Sequence, residues 1–414
     1  MKDLSLLIKR EINSPSPIRE IMKMAEPQNI INMGLNPDDV ISFGGGWVDH
    51  YAPDDLIKAY YSIISDKILF HKSGGYSPTS GFNEAKESIA MYEKYLFNEN
   101  LNIENIIVGG SSSQLTIDLF RVLLDPKDSI ALVDPTYANY FGQIKFVSDS
   151  IKVKTISFLD ENWEYLKNKK DILSEINEIF KDQKLKAMLI ASPDNPTSQI
   201  IPNNFINDVI KISMDTGTYL IFDYAYKTHY FDNEFPDYFS LSPSDNENII
   251  TMNSNSKWDR GLGRRMGWIE ANTEIIRSME RMQQASILCP DSLHQMAFTE
   301  YMKNTTRSDL KKYIDSVRND YRKAAGLTIK AIREHLGFKY LEPQGGLYVA
   351  VNVETDSDSF VLNVLKNTGV IFVPGKGFGS SMANGIRISY GPLVRSMDKI
   401  EEGLSRVGKF LHGK

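Results

Sequence analysis

One lysine, Lys257, follows the short polar turn Ser254-Asn255-Ser256, and two arginines, Arg264 and Arg265, stand seven and eight residues beyond it in Gly263–Trp268. A lysine amine forms a Schiff base with an aldehyde, and a guanidinium grips a phosphate with a planar fork of donors. A cofactor bearing both groups would use the two together. Basic residues this close are otherwise a solvated surface, so the neighbouring constellations decide. The apolar run Ala187–Ala191 leads into Ser192-Pro193-Asp194-Asn195-Pro196-Thr197. Asn-Pro is usually a turn, and the Asn195 amide is also able to donate to a phenolic oxygen on a cofactor ring. A further 28 residues on, Tyr219–Phe222 ends in Asp223, with Tyr226 adding a hydroxyl close by. A carboxylate leaving a buried strand is costly unless a cation meets it. A protonated pyridine nitrogen is such a cation; an N-cap or a structural ion pair is the alternative. Earlier, Val108-Gly109-Gly110-Ser111-Ser112-Ser113 leaves a strand and opens a helix near Gln114. Bare amides at a helix N-terminus make an anion site, or the stretch is a capped Gly/Ser loop.

The elements that must position these residues are short apolar runs alternating with longer helix-period segments. Strands are predicted at Asn105–Val108, Ser129–Val133, Ile151–Ile156, Ala187–Ala191, Tyr219–Phe222, Ile249–Met252 and Met266–Glu270. Helices at Leu115–Leu124, Lys170–Lys181 and Asn204–Met214 lie between several of them. That alternation reads as βαβ units around a mainly parallel sheet, where ligands bind beyond the carboxyl ends of the strands. Residues 305–337 read as a long helix, followed by strands at Gly346–Val353 and Gly369–Val373 and a helix near Ser396–Leu411. The fold class is therefore α/β: a large domain with a seven-stranded sheet flanked by helices, and a smaller α+β domain. The expected division is an N-terminal arm that joins the small domain (residues 1–50), a large domain (51–304), and an interdomain helix with the C-terminal small domain (305–414). Asp356–Ser359 and Ser242–Asn248 read as surface loops.

Bulk properties exclude other classes. A chain of 414 residues with 42% hydrophobic and 24% charged residues is an ordinary globular composition. A net charge of −6 offers no basic field for nucleic acid and no basic block for a membrane surface. No apolar run reaches the about 18 residues of a membrane span, and the N-terminus lacks the apolar core of a signal peptide. The single cysteine, Cys289, fits a reducing cytoplasm and reads as a buried, inert thiol. The six histidines show no metal-ligand spacing, so no metal is expected; His50 and His229 alone lie near site segments. Gly375-Lys376-Gly377-Phe378-Gly379 lacks the Walker spacing.

In this order and spacing the motifs resemble the fold-type I pyridoxal 5′-phosphate (PLP) enzymes, specifically class I/II aminotransferases. The most similar branch holds the 2-aminoadipate and kynurenine aminotransferases. The resemblance runs over nearly the whole chain. It rests also on Ser16–Ile21 with Ile41–Gly46, Tyr76–Gly81, Asp134-Pro135-Thr136-Tyr137, Pro343–Tyr348, Val373–Gly375 and Gly385–Tyr390. It implies Lys257 as the Schiff-base lysine and later the proton-moving base. It further implies Asp223 at the pyridinium nitrogen, Asn195 and Tyr226 at the ring oxygen, and Tyr137 on the ring face. Ser254, Arg265 and the loop Ser111, Ser112, Ser113 would hold the phosphate, reached by Tyr76 of a neighbouring subunit in a homodimer. Arg387 would bind the substrate α-carboxylate, with Gly45 and Gly46 leaving room at the mouth and Asn195 alongside. The implied activity is ping-pong transamination between an L-amino acid and a 2-oxo acid. A lyase or decarboxylase on the same scaffold is the alternative, since reaction choice depends on which bond stands perpendicular to the ring. An effector-sensing regulator is disfavoured by the short stretch ahead of Gly44–Gly46. The sequence departs from the family pattern at Ser111, where a glycine is usual, and at Trp47-Val48-Asp49-His50, where Leu-Pro is usual.

Overall fold

The computed structural model describes residues 3–12, 17–244 and 246–413, with side chains described for all of these except 10–12, 17 and 18. Ser16, part of the opening motif, lies outside the described residues. Seven strands form the main sheet among these residues: β1 (Ile106–Gly109), β2 (Ser129–Asp134), β3 (Lys152–Ser157), β4 (Leu185–Ala191), β5 (Tyr219–Asp223), β6 (Ile249–Ser254) and β7 (Gly267–Glu270). Their order is β1-β7-β6-β5-β4-β2-β3; β7 runs antiparallel to both neighbours and every other pairing is parallel. Near-continuous Ile/Leu/Val/Ala runs such as Ile130–Val133 and Ala187–Ala191 suit strands covered on both faces, and both are buried. One face packs on Leu115, Leu119 and Phe120 of the helix Ser112–Leu123 and on Ile275 and Met279 of Thr273–Ser286. The other packs on Tyr92, Phe97, Phe205 and Phe298.

The helix expected over 305–337 runs from Arg307 to Ala331, capped by Thr306 accepting from Asp309 N, and continues as a π-turn to Gly337 in the left-handed region (φ 71°). A second, three-stranded antiparallel sheet follows: β8 (Tyr348–Asn352), β9 (Val373–Pro374) and β10 (Gly385–Ser389), in the order β9-β10-β8. The strand expected at Gly369–Val373 is instead two pieces. Val370–Ile371 pairs in parallel with Ile41–Ser42, while Val373–Pro374 joins the edge of the second sheet. Pro374 lacks an N–H, and an edge is where a strand tolerates that. Asp356 is not in a loop but caps the helix Ser357–Thr368, its side chain accepting from Ser359 N. Ile41, Phe43 and Val48 share one core with Val349, Ile386, Ile388 and Leu404, so the N-terminal segment packs with the C-terminal sheet. Cys289 is half-buried rather than buried, because it sits in the irregular turn after Thr273–Ser286.

Candidate active site

The carboxyl ends of β2, β4, β5 and β6 converge on one cavity of about 340 Å³. Its lining contains Gly45, Gly46, Ser111, Ser112, Ser113, Tyr137, Asn195, Asp223, Tyr226, Ser254, Lys257, Arg265 and Arg387. Segments up to 343 residues apart in the chain meet there, as in the bond between Arg387 and Gly44.

One end of the cavity is an anion cradle. Gly267 pairs across the sheet with both Gly109 and Ser254, which brings the start of the helix Ser112–Leu123 beside the lysine turn. A Cβ on Gly267 would lie 2.5 Å from Ser112 N, so only glycine permits this approach. Ser111 caps the helix through Gln114 N (3.1 Å). The free amides of the first turn face the cavity with Ser254 and Ser256. The two arginines separate here. Arg265 is in the left-handed region (φ 56°), and its guanidinium lines the cavity with one hydrogen bond to Leu262 O (2.7 Å). Arg264 turns the other way, donating to Asp259 O and Arg260 O and lying 5.8 Å from the Tyr60 ring.

At the middle, Asp223 leaves β5 and accepts from Ala225 N (2.9 Å) and from the Tyr140 hydroxyl (2.5 Å). Burial raises its pKa above the usual carboxylate value, against the pull of these donors. Among the described residues no cation forms an ion pair with it. A carboxylate so held is a receptor for a cationic ring nitrogen. The Lys257 amine donates to Gly46 O at 2.6 Å. Burial, then the positive field of Arg387, lowers its pKa to about 8, so the neutral amine is a minor form at neutrality but far more abundant than in an ordinary lysine.

The third part is Arg387, only 3% exposed, on β10. It donates Nη1 to Asn195 Oδ1 and Nη2 to Gly44 O, both at 2.9 Å, and stacks 4.3 Å from the Tyr348 ring. Its buried Nε has no partner among the described residues. Unused N–H groups on a guanidinium held this firmly suit a carboxylate. Since Asn195 Oδ1 is occupied, its NH₂ remains to donate into the cavity. The Tyr226 and Tyr348 hydroxyls share a 2.5 Å hydrogen bond. Tyr137 stands edge-on to Tyr140 and accepts from Asn139 Nδ2 (2.8 Å).

Tyr76 alone among the expected residues is apart from the cavity; it is 84% exposed on the outer surface. His50 and His229 are buried outside the lining. Tyr140, Ser256 and Arg19 belong to the lining without having been anticipated. Tyr140 follows Tyr137 by three residues, in the first turn of the helix Asn139–Val147, and the two rings meet 5.4 Å apart.

An amine, an anion cradle and an acceptor for a ring cation, gathered at the strand ends of a mainly parallel sheet, define a PLP enzyme of fold type I. The family model described as aminotransferase class I and II matches residues 38–407. An aspartate aminotransferase of Pyrococcus horikoshii is 26% identical, over 99% of this chain and 96% of its own. An aromatic-amino-acid aminotransferase of Thermococcus litoralis is 25% identical over 99% of both. A solved Thermus thermophilus aspartate aminotransferase superposes with a TM-score of 0.84 at 22% identity, covering 98% of this chain and 100% of that one. The chain belongs to the class I and II aminotransferases. It is a PLP-dependent enzyme that moves an amino group between an amino acid and a 2-oxo acid by the ping-pong route of its family.

The residues present fit that cofactor. Among the described residues Asp223 pairs with no cation, and the Ser111–Ser113 turn with Arg265 gathers donors suited to a phosphate.

Proposed function

We propose that Lys257 attaches the cofactor and moves the proton between the substrate α-carbon and the cofactor. The support is its lowered pKa and its position between the anion cradle and Arg387. PLP, when bound, carries the amino group and withdraws electrons from the bond broken at the α-carbon. Asp223, held by Tyr140 and Ala225 N, meets the ring nitrogen. Asn195 and Tyr226 donate toward the ring oxygen, and Tyr137 covers the ring face. Ser111, Ser112, Ser113, Ser254 and Arg265 hold the phosphate. Arg387 takes the α-carboxylate as a bidentate pair beside Gly45 and Gly46, which orients the α-hydrogen toward Lys257.

The amino donors we infer are acidic. The cavity holds four cations, Arg19, Lys257, Arg265 and Arg387, against one carboxylate, Asp223. Phosphate and α-carboxylate occupy Arg265 and Arg387, which leaves Arg19 on the helix Pro17–Met24 for a side-chain carboxylate. No carboxylate among the described residues pairs with Arg19. Aspartate, glutamate and 2-aminoadipate carry such a group, and the Pyrococcus relative is named for aspartate. Trp47 and Tyr348 in the wall favour a second reading, aromatic donors, and the Thermococcus relative is named for those. The test is kcat/KM for both donor classes with 2-oxoglutarate, in the wild type and in Arg19→Ala. Acidic donors should lead and fall about 10-fold in the variant, with aromatic donors unchanged. A uniform change, or none, contradicts the assignment.

We further infer a homodimer in which Tyr76 reaches the partner's phosphate site. The support is the exposure of Tyr76 itself and of the large apolar side chains Tyr61, Ile64, Ile68 and Phe70 on the two helices that precede it, Asp54–Ser65 and Lys67–Ser73, since exposed apolar surface marks interfaces. The shared core of residues 21–48 and 317–407 supports the division into an N-terminal arm with the small domain (1–50), a large domain (51–304) and a C-terminal part (305–414). A lone cysteine is consistent with a cytoplasmic enzyme.

A further inference from the structure

The segment Gly46–His50 is laced to the lysine turn by three separate ties. Lys257 Nζ donates to Gly46 O (2.6 Å), Arg260 Nη2 to Asp49 Oδ1 (2.6 Å), and His50 Nε2 lies 3.0 Å from Trp258 O. A carbonyl only accepts, so Nε2 carries the proton and Nδ1 accepts from the Tyr321 hydroxyl at 2.9 Å. The Tyr321 oxygen in turn accepts from Asp49 N (3.3 Å). The chain of bonds runs one way, from Asp49 N through Tyr321 and His50 to the carbonyl next to Lys257. Each group is matched to the role its neighbour requires. Tyr313 adds a bridge, its hydroxyl lying within reach of both Tyr51 O (2.9 Å) and Trp258 O (3.0 Å). His50 is 5% exposed, and burial, its largest influence, lowers its pKa to about 4, which keeps the ring neutral.

We propose that Asp49 and His50 are positioning residues: they fasten the Gly44–Trp47 wall of the substrate cavity to the Lys257 turn. The tie through Lys257 Nζ uses the reactive amine itself and is available only while that amine is free. The other two ties are independent of it. They keep Gly44 O under Arg387 and Trp47 at the cavity edge when Lys257 is otherwise engaged. Loss of either tie lets the wall drift relative to the lysine and weakens amino acid binding, while the cofactor's own contacts in the Ser111–Ser113 cradle and at Asp223 are untouched.

This inference rests on the assignment of Lys257 and Arg387 above, and the test separates the two. Holoenzymes of His50→Gln, His50→Asn and Arg260→Gln are compared with the wild type in KM, kcat, melting temperature and cofactor absorbance. A glutamine amide nitrogen reaches the position of Nε2 and keeps the bond to Trp258 O; an asparagine stops at Nδ1. His50→Asn and Arg260→Gln should raise the amino-donor KM about 10-fold, the size of one lost hydrogen bond. Their kcat should stay within about twofold and their absorbance band should be unshifted. His50→Gln should recover most of the loss. Wild-type KM in folded His50→Asn and Arg260→Gln overturns the proposal, as does equal impairment of the Asn and Gln variants. An absorbance band that survives Lys257→Ala overturns the underlying assignment instead, whatever the His50 variants do.

Discussion

Arg387 and Asn195 are joined by a 2.9 Å hydrogen bond from Nη1 to Oδ1, although 192 residues separate them in the chain. The bond ties the proposed α-carboxylate receptor to the donor proposed for the cofactor's ring oxygen, so neither is free to rotate alone. Removing the guanidinium should cost two charge-assisted hydrogen bonds. At about 1.5 kcal/mol each, the amino-donor KM of Arg387→Ala rises about 10²-fold. Arg387→Lys should not restore it, because an ammonium lacks the planar fork. Steady-state kinetics of the two variants check this; recovery by lysine contradicts the bidentate role.

Tyr140 donates to Asp223 at 2.5 Å, and this bond favours the ionised carboxylate against burial. Tyr140→Phe should therefore leave Asp223 more readily protonated and less able to hold a ring cation. The expected result is a fall in kcat of about 10-fold for one charged hydrogen bond lost, with the amino-donor KM little changed. Asp223→Asn, which removes the charge outright, should fall further. Equal kcat in Tyr140→Phe and wild type would show that the carboxylate needs no second donor.

Lys257 is held to about 8, below its ordinary value of 10.5, by burial and then by Arg387 and Arg265. Only the neutral amine attacks an aldehyde. Cofactor capture by the apoenzyme should therefore quicken as pH rises and reach half its maximum near 8. Stopped-flow absorbance after mixing apoenzyme with PLP measures this. A midpoint near the ordinary lysine value would mean that the cluster of positive charge does not act on Lys257.

Away from the site, Lys227 is buried against Glu93 (2.7 Å) and Glu99 (3.3 Å), with Glu270 beside them. Burial raises all three carboxyls, and Lys227 only partly opposes it. Lys227→Met leaves these carboxyls without their cation and should cost about 3–5 kcal/mol in a denaturant titration. Glu93 has its folded pKa raised to about 7 from 4.5. Its contribution is complete below pH 4.5 and is lost as pH rises through about 7. Glu93→Gln stays neutral, so the stability of the wild type relative to this variant should decline from pH 5 to pH 8. A constant difference would show that Glu93 is ionised throughout.

Much of the site was legible because its key residues end buried parallel strands, where an apolar run stopping at a polar residue is conspicuous. Asp223, Asn195 and Ser254 are of this kind, the Ser111–Ser113 turn follows a buried strand paired antiparallel, and Arg265, the arginine the resemblance implies, lines the cavity where Arg264 does not. The positive φ at Arg265 explains how adjacent arginines face opposite ways. Less was legible where a helix or a backbone atom supplies the contact. Tyr140, Arg19 and Gly44 O lie in or near motifs, but which way each faces comes from packing between distant segments. The same holds for the break at Phe372, where two short strands join different partners. His50 was legible as a departure and as a histidine near a site segment, but its partners Tyr321 and Trp258 come from elements fixed by the fold.

If Lys257 carries the cofactor, hydride should trap it there. The holoenzyme is treated with borohydride, digested, and mapped by mass spectrometry for the lysine bearing the reduced cofactor. The label is expected on Lys257 alone, with no label and no turnover in Lys257→Ala. A label on another lysine, or an active Lys257→Ala enzyme, would contradict it.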